Sequence, residues 1–178
     1  MKLTRTMLLA ALLAGTMPAA PAVADEWRSL DEGIRPSEQL VIGGQPTAAL
    51  LREAAEAGIE LVVNFRPAGE EDLDYDEAAL VAELGLAYLQ VPVAKQGSLT
   101  EENVRLFDAV LERVGEQPAL MHCSTGNRVG AMFALHAARY RGMDTEAAVA
   151  LGKAHGLTHF EDEVRAELAH DAKERAQP

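Results

Sequence analysis

A single cysteine, Cys123, stands among 178 residues, so no disulfide can close within the chain. Basic residues are also few. Sixteen Lys and Arg face 28 Asp and Glu, for a formal net charge of −12, and such a surface repels nucleic acid and anionic membranes. Any anion site must therefore be local. Long apolar runs are missing too: the stretch from Met7 to Met17 is too short to cross a hydrocarbon core of ~30 Å, and no later run comes closer. There is no internal repeat and no low-complexity tract. The glycines of GGQP (43 to 46) are not followed by the G-x-G-x-x-G spacing of a dinucleotide loop.

The short apolar run has a reading of its own. Lys2 and Arg5 precede it and Ala22-Val23-Ala24 follow it, which is the layout of a secretory signal cut after Ala24. The residue directly after the cut is Asp25 and not a cysteine, so lipid anchoring there is not indicated. This reading leaves residues 25–178 as one domain of adequate size for its own core, in a periplasmic or secreted setting, with no membrane span after the signal is removed. In an oxidising compartment a lone cysteine is either shielded or reactive. Cys123 is then a buried filler, a ligand or a nucleophile.

Residues 25–38 show no sustained period and read as a lead-in arm, with Trp27 as its candidate anchor. Beyond it, strands and helices alternate. LVI (40 to 42), IELVVNF (59 to 65), AYLQVPV (87 to 93) and PALMHC (118 to 123) are apolar and of strand length. Between them lie a helix that Thr47 can cap and Gly58 ends, one that stops at Gly85, and a long amphipathic helix for which Thr100 or Ser98 is the candidate cap. Helices over 128–142, 145–155 and 160–175 complete the chain. The alternation predicts an α/β fold, a central mostly parallel sheet of about four strands flanked by helices. Ligands in such folds sit outside the carboxyl ends of the strands. Cys123 lies at one such end, and the polar loop RPAGEEDLD (66 to 74) at another.

The stretch MHCSTGNRVG (121 to 130) joins a strand to a helix. A loop of this kind collects unpaired backbone N–H groups and the positive end of the helix dipole, which together make an anion site. Gly126 permits an unusual backbone, Ser124 and Thr125 can donate hydroxyls, Asn127 completes the loop, and Arg128 can fork around two oxygens of a tetrahedral anion. The same surroundings favour a thiolate, since helix N-termini and cations lower a cysteine pKa from ~8.5 into the range of roughly 3.5 to 7.5. A thiolate in a cradle that also holds an oxyanion is arranged to attack it.

HCSTGNRVG resembles the active loop of the cysteine-dependent phosphatases and of the rhodaneses. The phosphatase pattern, His-Cys-x-x-Gly-x-x-Arg, has one more residue between Cys and Arg than this chain, where only Ser124, Thr125, Gly126 and Asn127 intervene. The shorter loop is of rhodanese length. VIGGQPTAALLREAAEAGIELVVNFRPAGEE, GLAYLQVPV and LTEENVRLFDAVL resemble instead the body of a dual-specificity phosphatase, and the Asp-x-Arg and Gly-His-Ile segments of a rhodanese are not found. Both traits meet in the bacterial phosphatase-like family once labelled beta-lactamase hydrolase-like, or DUF442, whose loop reads Cys-x-x-Gly-x-Arg; the resemblance spans about residues 34–168.

The resemblance implies a dual-specificity-phosphatase-like fold, Cys123 as a nucleophile forming a thiophosphate, Arg128 binding the phosphoryl oxygens, and the backbone of 124–128 completing the cradle. It makes His122 a residue that tunes the thiolate through hydrogen bonds, unless it is simply a satisfied core histidine. No cofactor and no metal is implied. The family's serine or threonine after the arginine is replaced by Val129, and Lys95 stands near where its general acid is often found. Glu70, Glu71, Asp72 or Asp74 could supply that acid, though a carboxylate run is more often a solvated face. His155 and His159, with Glu161 nearby, suggest a metal pair only superficially, because Gly156 breaks the helix between them. The expected substrate is a phosphorylated small molecule or protein. A sulfane-sulfur substrate carried as a persulfide on Cys123, or anion binding without turnover, are the alternatives.

Overall fold

A computed structural model of the chain describes residues 29–70, 73–94, 99–115 and 117–176. The expected signal segment over 1–24, Trp27, Glu71, Asp72 and Lys95 lie outside them. Among the described residues no helix is long and apolar enough to cross a membrane.

Five strands form one sheet in the order β1-β2-β5-β3-β4. They are β1 (Ile34–Ser37), β2 (Leu40–Gly43), β3 (Leu61–Asn64), β4 (Ala87–Gln90) and β5 (Ala119–His122). All neighbours are parallel except β1, which runs antiparallel to β2 at the edge. The expected arm therefore ends in a fifth strand. Its four residues are all exposed and include Pro36, a composition that only an edge tolerates and that carries no alternating signal. Before β1, a single 3-10 turn buries Leu30 among the residues of the helix Ala48–Glu56.

The sheet separates two cores. One face is covered by α1 (Ala48–Glu56) and α2 (Glu77–Glu83), which pack on Val41, Val62 and Leu120. The other is covered by α3 (Glu101–Val114), α4 (Asn127–Tyr140), α5 (Thr145–Ala154) and α6 (Glu161–Arg175), which pack on Ile42, Val63 and Met121. Alternate residues of β2, β3 and β5 thus serve opposite cores, as the pleat requires, and these strands read as continuous apolar runs because both faces are buried. The chain steps from β2 to β3 to β4 in one direction, with its helices on the first face. It returns from β4 to β5 through α3 on the second. Right-handed crossovers demand that change of face when the direction reverses.

The return places β5 between β2 and β3. Its exit goes to α4 on one face, while β3 exits to α2 on the other, so the carboxyl ends of β5 and β3 border a switch point, where α/β sheets bind their ligands. Helix α4 lies close against α5 and the turn that follows it because Gly130 has no side chain: a Cβ there would lie 2.0 Å from the Leu157 nitrogen. Gly152 opposes it across the same contact.

Candidate active site

The turn after β5 is shaped by Gly126, whose φ of +84° lies in the left-handed region. Gly126 also caps α4 without any side-chain hydrogen bond to the first turn. Its N–H points instead at the Cys123 sulfur, 3.1 Å away. Cys123 is fully buried among the residues of the second core. The GGQP segment leaving β2 lies directly against this turn. Gly44 bridges to Thr125, the Gln45 N–H donates to the Ser124 carbonyl at 3.3 Å, and a Cβ on Gly44 would come within 3.0 Å of that same oxygen.

Arg128, in the first turn of α4, is 3% exposed and reaches across to the β3 exit. Nη1 donates to Glu70 Oε2 at 2.8 Å and to the Val93 carbonyl at 2.9 Å; Nη2 donates to Glu70 Oε1 at 2.6 Å and to Ser124 Oγ at 2.8 Å. Ser124 Oγ in turn donates to Glu70 Oε1 at 3.3 Å. The guanidinium thus holds a two-oxygen anion in fork geometry, and that anion is the protein's own carboxylate. Glu70 arrives on a loop that starts with the Arg66 N–H donating to Asn64 Oδ1 at 2.8 Å and passes through Gly69 at φ +74°.

The residues expected from sequence divide in two. Cys123, Ser124, Gly126, Arg128 and Glu70 come together. Thr125 is exposed at the rim, and Asp74 is exposed on the far part of the loop. Asn127 contributes to the loop only through its backbone. Its Oδ1 accepts from the Thr158 N–H at 2.7 Å, the Thr158 hydroxyl at 3.2 Å and the Phe160 N–H at 3.3 Å, which staples the α5–α6 connection onto the turn. His155 is half-buried, with its ring 4.0 Å from that of Phe133 and Nδ1 on the Leu151 carbonyl, while His159 is exposed. Among the described residues no cluster of His, Cys, Asp or Glu is assembled that could hold a metal.

His122 does something other than hydrogen-bond the sulfur. It neighbours Cys123 along the strand, so its ring projects to the opposite face. There Nε2 lies 2.8 Å from Glu77 Oε1 in a buried ion-pair geometry, while Nδ1 has no hydrogen-bond partner. Glu77 also accepts from Gln45 Nε2 at 2.7 Å and Asn64 Nδ2 at 3.3 Å. Burial pushes the Glu77 carboxyl up, but the His122 hydrogen bond and charge, with Gln45 and Arg66, outweigh it and hold the carboxyl below its usual range. Beside it, burial and then the Glu77 charge push the Tyr88 hydroxyl up to about 12.

Sequence reading passed over Glu77, Gln45 and Asn64. A signal for Glu77 was present: with Leu80 and Val81 it occupies the buried stripe of α2, where a carboxylate is out of place unless paired.

Comparison with known proteins supplies the remaining finding. The model of the family described as beta-lactamase hydrolase-like protein, phosphatase-like domain, matches residues 35–140. A beta-lactamase hydrolase-like protein of Xylella fastidiosa (strain Temecula1) is 35% identical over 125 residues, which cover 68% of this chain. The aligned part spans only 28% of that relative's length. Among solved structures, a DUF442 protein of Shewanella putrefaciens CN-32 superposes with a TM-score of 0.60 at 23% identity, over 79% of this chain and 90% of its own. A candidate phosphatase of Neisseria meningitidis z2491 gives a TM-score of 0.59 at 25% identity, over 74% of this chain and 94% of its own.

Proposed function

Since the chain belongs to the family of beta-lactamase hydrolase-like phosphatase domains, we propose that it is a cysteine-dependent phosphomonoester hydrolase. The observation that carries this reading is the grip of Arg128 and Ser124 on the Glu70 carboxylate, at the turn that begins with Cys123. A seat that holds one oxyanion in fork geometry suits another. The Cys123 sulfur attacks phosphorus, the bond from phosphorus to the leaving oxygen breaks, and a thiophosphate forms. Water then displaces the sulfur and releases inorganic phosphate. Arg128 and the N–H groups at the start of α4 take up the charge on the phosphoryl oxygens.

Glu70 fits the role of general acid poorly in this arrangement. A carboxylate that accepts two guanidinium N–H bonds and a hydroxyl serves only as an acceptor and has no proton to give. It competes with the phosphoryl group for the same Nη groups and keeps Arg128 extended until substrate arrives. Val129 is fully buried and offers no hydroxyl after the arginine. Esters with good leaving groups, aryl phosphates above all, are therefore the substrates that turn over best. The leader-like first 24 residues favour a site of action outside the cytoplasm.

The length of the loop, with Ser124 to Asn127 alone between Cys123 and Arg128, favours a second reading, sulfur transfer through a Cys123 persulfide. Parallel assays on the wild type and Cys123→Ser separate the two. The expected outcome is vanadate-sensitive hydrolysis of an aryl phosphate that falls to background in Cys123→Ser. Thiosulfate-to-cyanide transfer with a persulfide on Cys123, and no phosphate release, would replace the first reading with the second. No turnover in either assay would leave only anion binding.

A further inference from the structure

Glu77 opens helix α2, behind a side-chain cap from Asp76. Its side chain is 5% exposed, and its three partners leave from three adjacent strands. His122 ends β5, Asn64 ends β3 opposite it in register, and Gln45 follows β2, whose Gly43 is the other register partner of His122. Each partner leads into one part of the anion seat. His122 immediately precedes Cys123. Asn64 uses its Oδ1 to start the turn that carries Glu70 to Arg128. Gln45, from its backbone, holds the Ser124 carbonyl.

Stability alone gives no reason for a carboxylate at this point. A buried ion pair exchanged for well-packed apolar residues is often neutral or stabilising. What apolar packing could not supply is direction, since Glu77 fixes the rotation of three polar side chains at once. The cost of a small misplacement near reacting groups is large.

We infer that Glu77 is a positioning residue, which acts through His122, Asn64 and Gln45 to hold the Cys123 turn and the Glu70-bearing loop in register with Arg128. This inference rests on reading that turn as an anion cradle around a reactive sulfur. It does not require that the chain hydrolyse phosphate.

The test compares alkylation of Cys123 by iodoacetate, an anion, with alkylation by neutral iodoacetamide, in the full chain with and without inorganic phosphate. Wild type prefers the anion, and phosphate protects against both reagents. Glu77→Gln keeps the shape but turns an amide toward the donors of Gln45 and Asn64. Its preference for iodoacetate falls about tenfold, as expected for a shift of the cradle of well under 1 Å. Arg139→Gln is the control for plain loss of stability, because it breaks a remote ion pair with Asp171 whose arginine side chain is only 8% exposed; it leaves the preference unchanged. Gln45→Leu removes one of the three donors and keeps Glu77 paired, so it lowers the preference by about twofold to threefold even if Glu77→Gln does not fold.

An unchanged preference in a folded Glu77→Gln or in Gln45→Leu, or an equal fall in Arg139→Gln, overturns the inference. A wild type with no preference for the anion and no protection by phosphate overturns both the inference and the cradle it rests on. A wild type with a strong preference but no phosphate release removes only the hydrolase reading.

Discussion

Glu70, on the loop from β3 to α2, and Glu77, the first residue of α2, each send a carboxylate to one of two nitrogen-bearing side chains near Cys123 in the chain, Arg128 and His122. They differ in what carries them. Glu77 is the first residue of a helix, its carboxylate is enclosed by three donors, and it faces the core under α1 and α2. Glu70 rides on a loop with a left-handed glycine just before it, and its side chain is 11% exposed. A carboxylate held by regular structure and saturated with donors is a fixture. A carboxylate on a loop, bound through a guanidinium that other anions can also bind, is exchangeable. The two sides of β5 thus differ in kind: His122 and Glu77 form an enclosed pair on one face, while Arg128 and Glu70 form a loop-borne pair beside the Cys123 turn on the other.

Breaking the exchangeable side at its cation should give the largest effect. Arg128→Lys keeps the charge but loses the fork, and kcat for an aryl phosphate should fall about 10²–10³-fold, the scale for losing an oriented donor to a developing oxyanion. An undiminished kcat would mean that Arg128 serves Glu70 and not substrate. On the fixed side, Glu77→Leu leaves Gln45, Asn64 and His122 with buried donors unmet, and urea unfolding at pH 7 should show a loss of about 3 kcal/mol.

The fixed side also has a pH signature. The Glu77 carboxyl sits below its ordinary 4.5 in the folded chain, so the stabilisation it provides is complete above that value and is given up as the pH falls through the lower folded one. Urea midpoints measured at pH 7 and pH 3 should therefore differ less for Glu77→Leu than for wild type. An equal difference would show that other groups carry the acid sensitivity. The smallest change is expected from Glu70→Gln, which weakens the internal competitor for Arg128. Vanadate should bind up to about tenfold more tightly, equivalent to 1.4 kcal/mol, with stability within about 1 kcal/mol of wild type. Weaker vanadate binding would mean that Glu70 chiefly orients the arginine.

Much of this was legible in the sequence. The alternating apolar runs, the stop glycines and the threonine caps gave β2 to β5 and α1 to α6 to within a few residues, because those signals are local: burial on both faces, a left-handed C-terminus, a side-chain oxygen for an orphan N–H. Strand β1 was not legible, since four exposed residues with a proline carry no period. The Cys123 turn was legible for the same reason as the helices, as it is built from consecutive residues and a helix start. Asn127 was placed in that turn by spacing, but spacing could not show that its side chain points away to Thr158 and Phe160.

By itself, then, the sequence determined the α/β alternation and the placing of Cys123 and Arg128 on one strand, turn and helix start, which depend on near neighbours in the chain, and it carried the motifs of the family. Only the tertiary structure decided that Glu70 would meet Arg128, and that His122 would turn to Glu77 and not to the adjacent sulfur. The reason is the sheet. Its pleat sends neighbouring side chains to opposite faces, and its strand order brings together residues 45, 64, 77 and 122, which no local pattern connects.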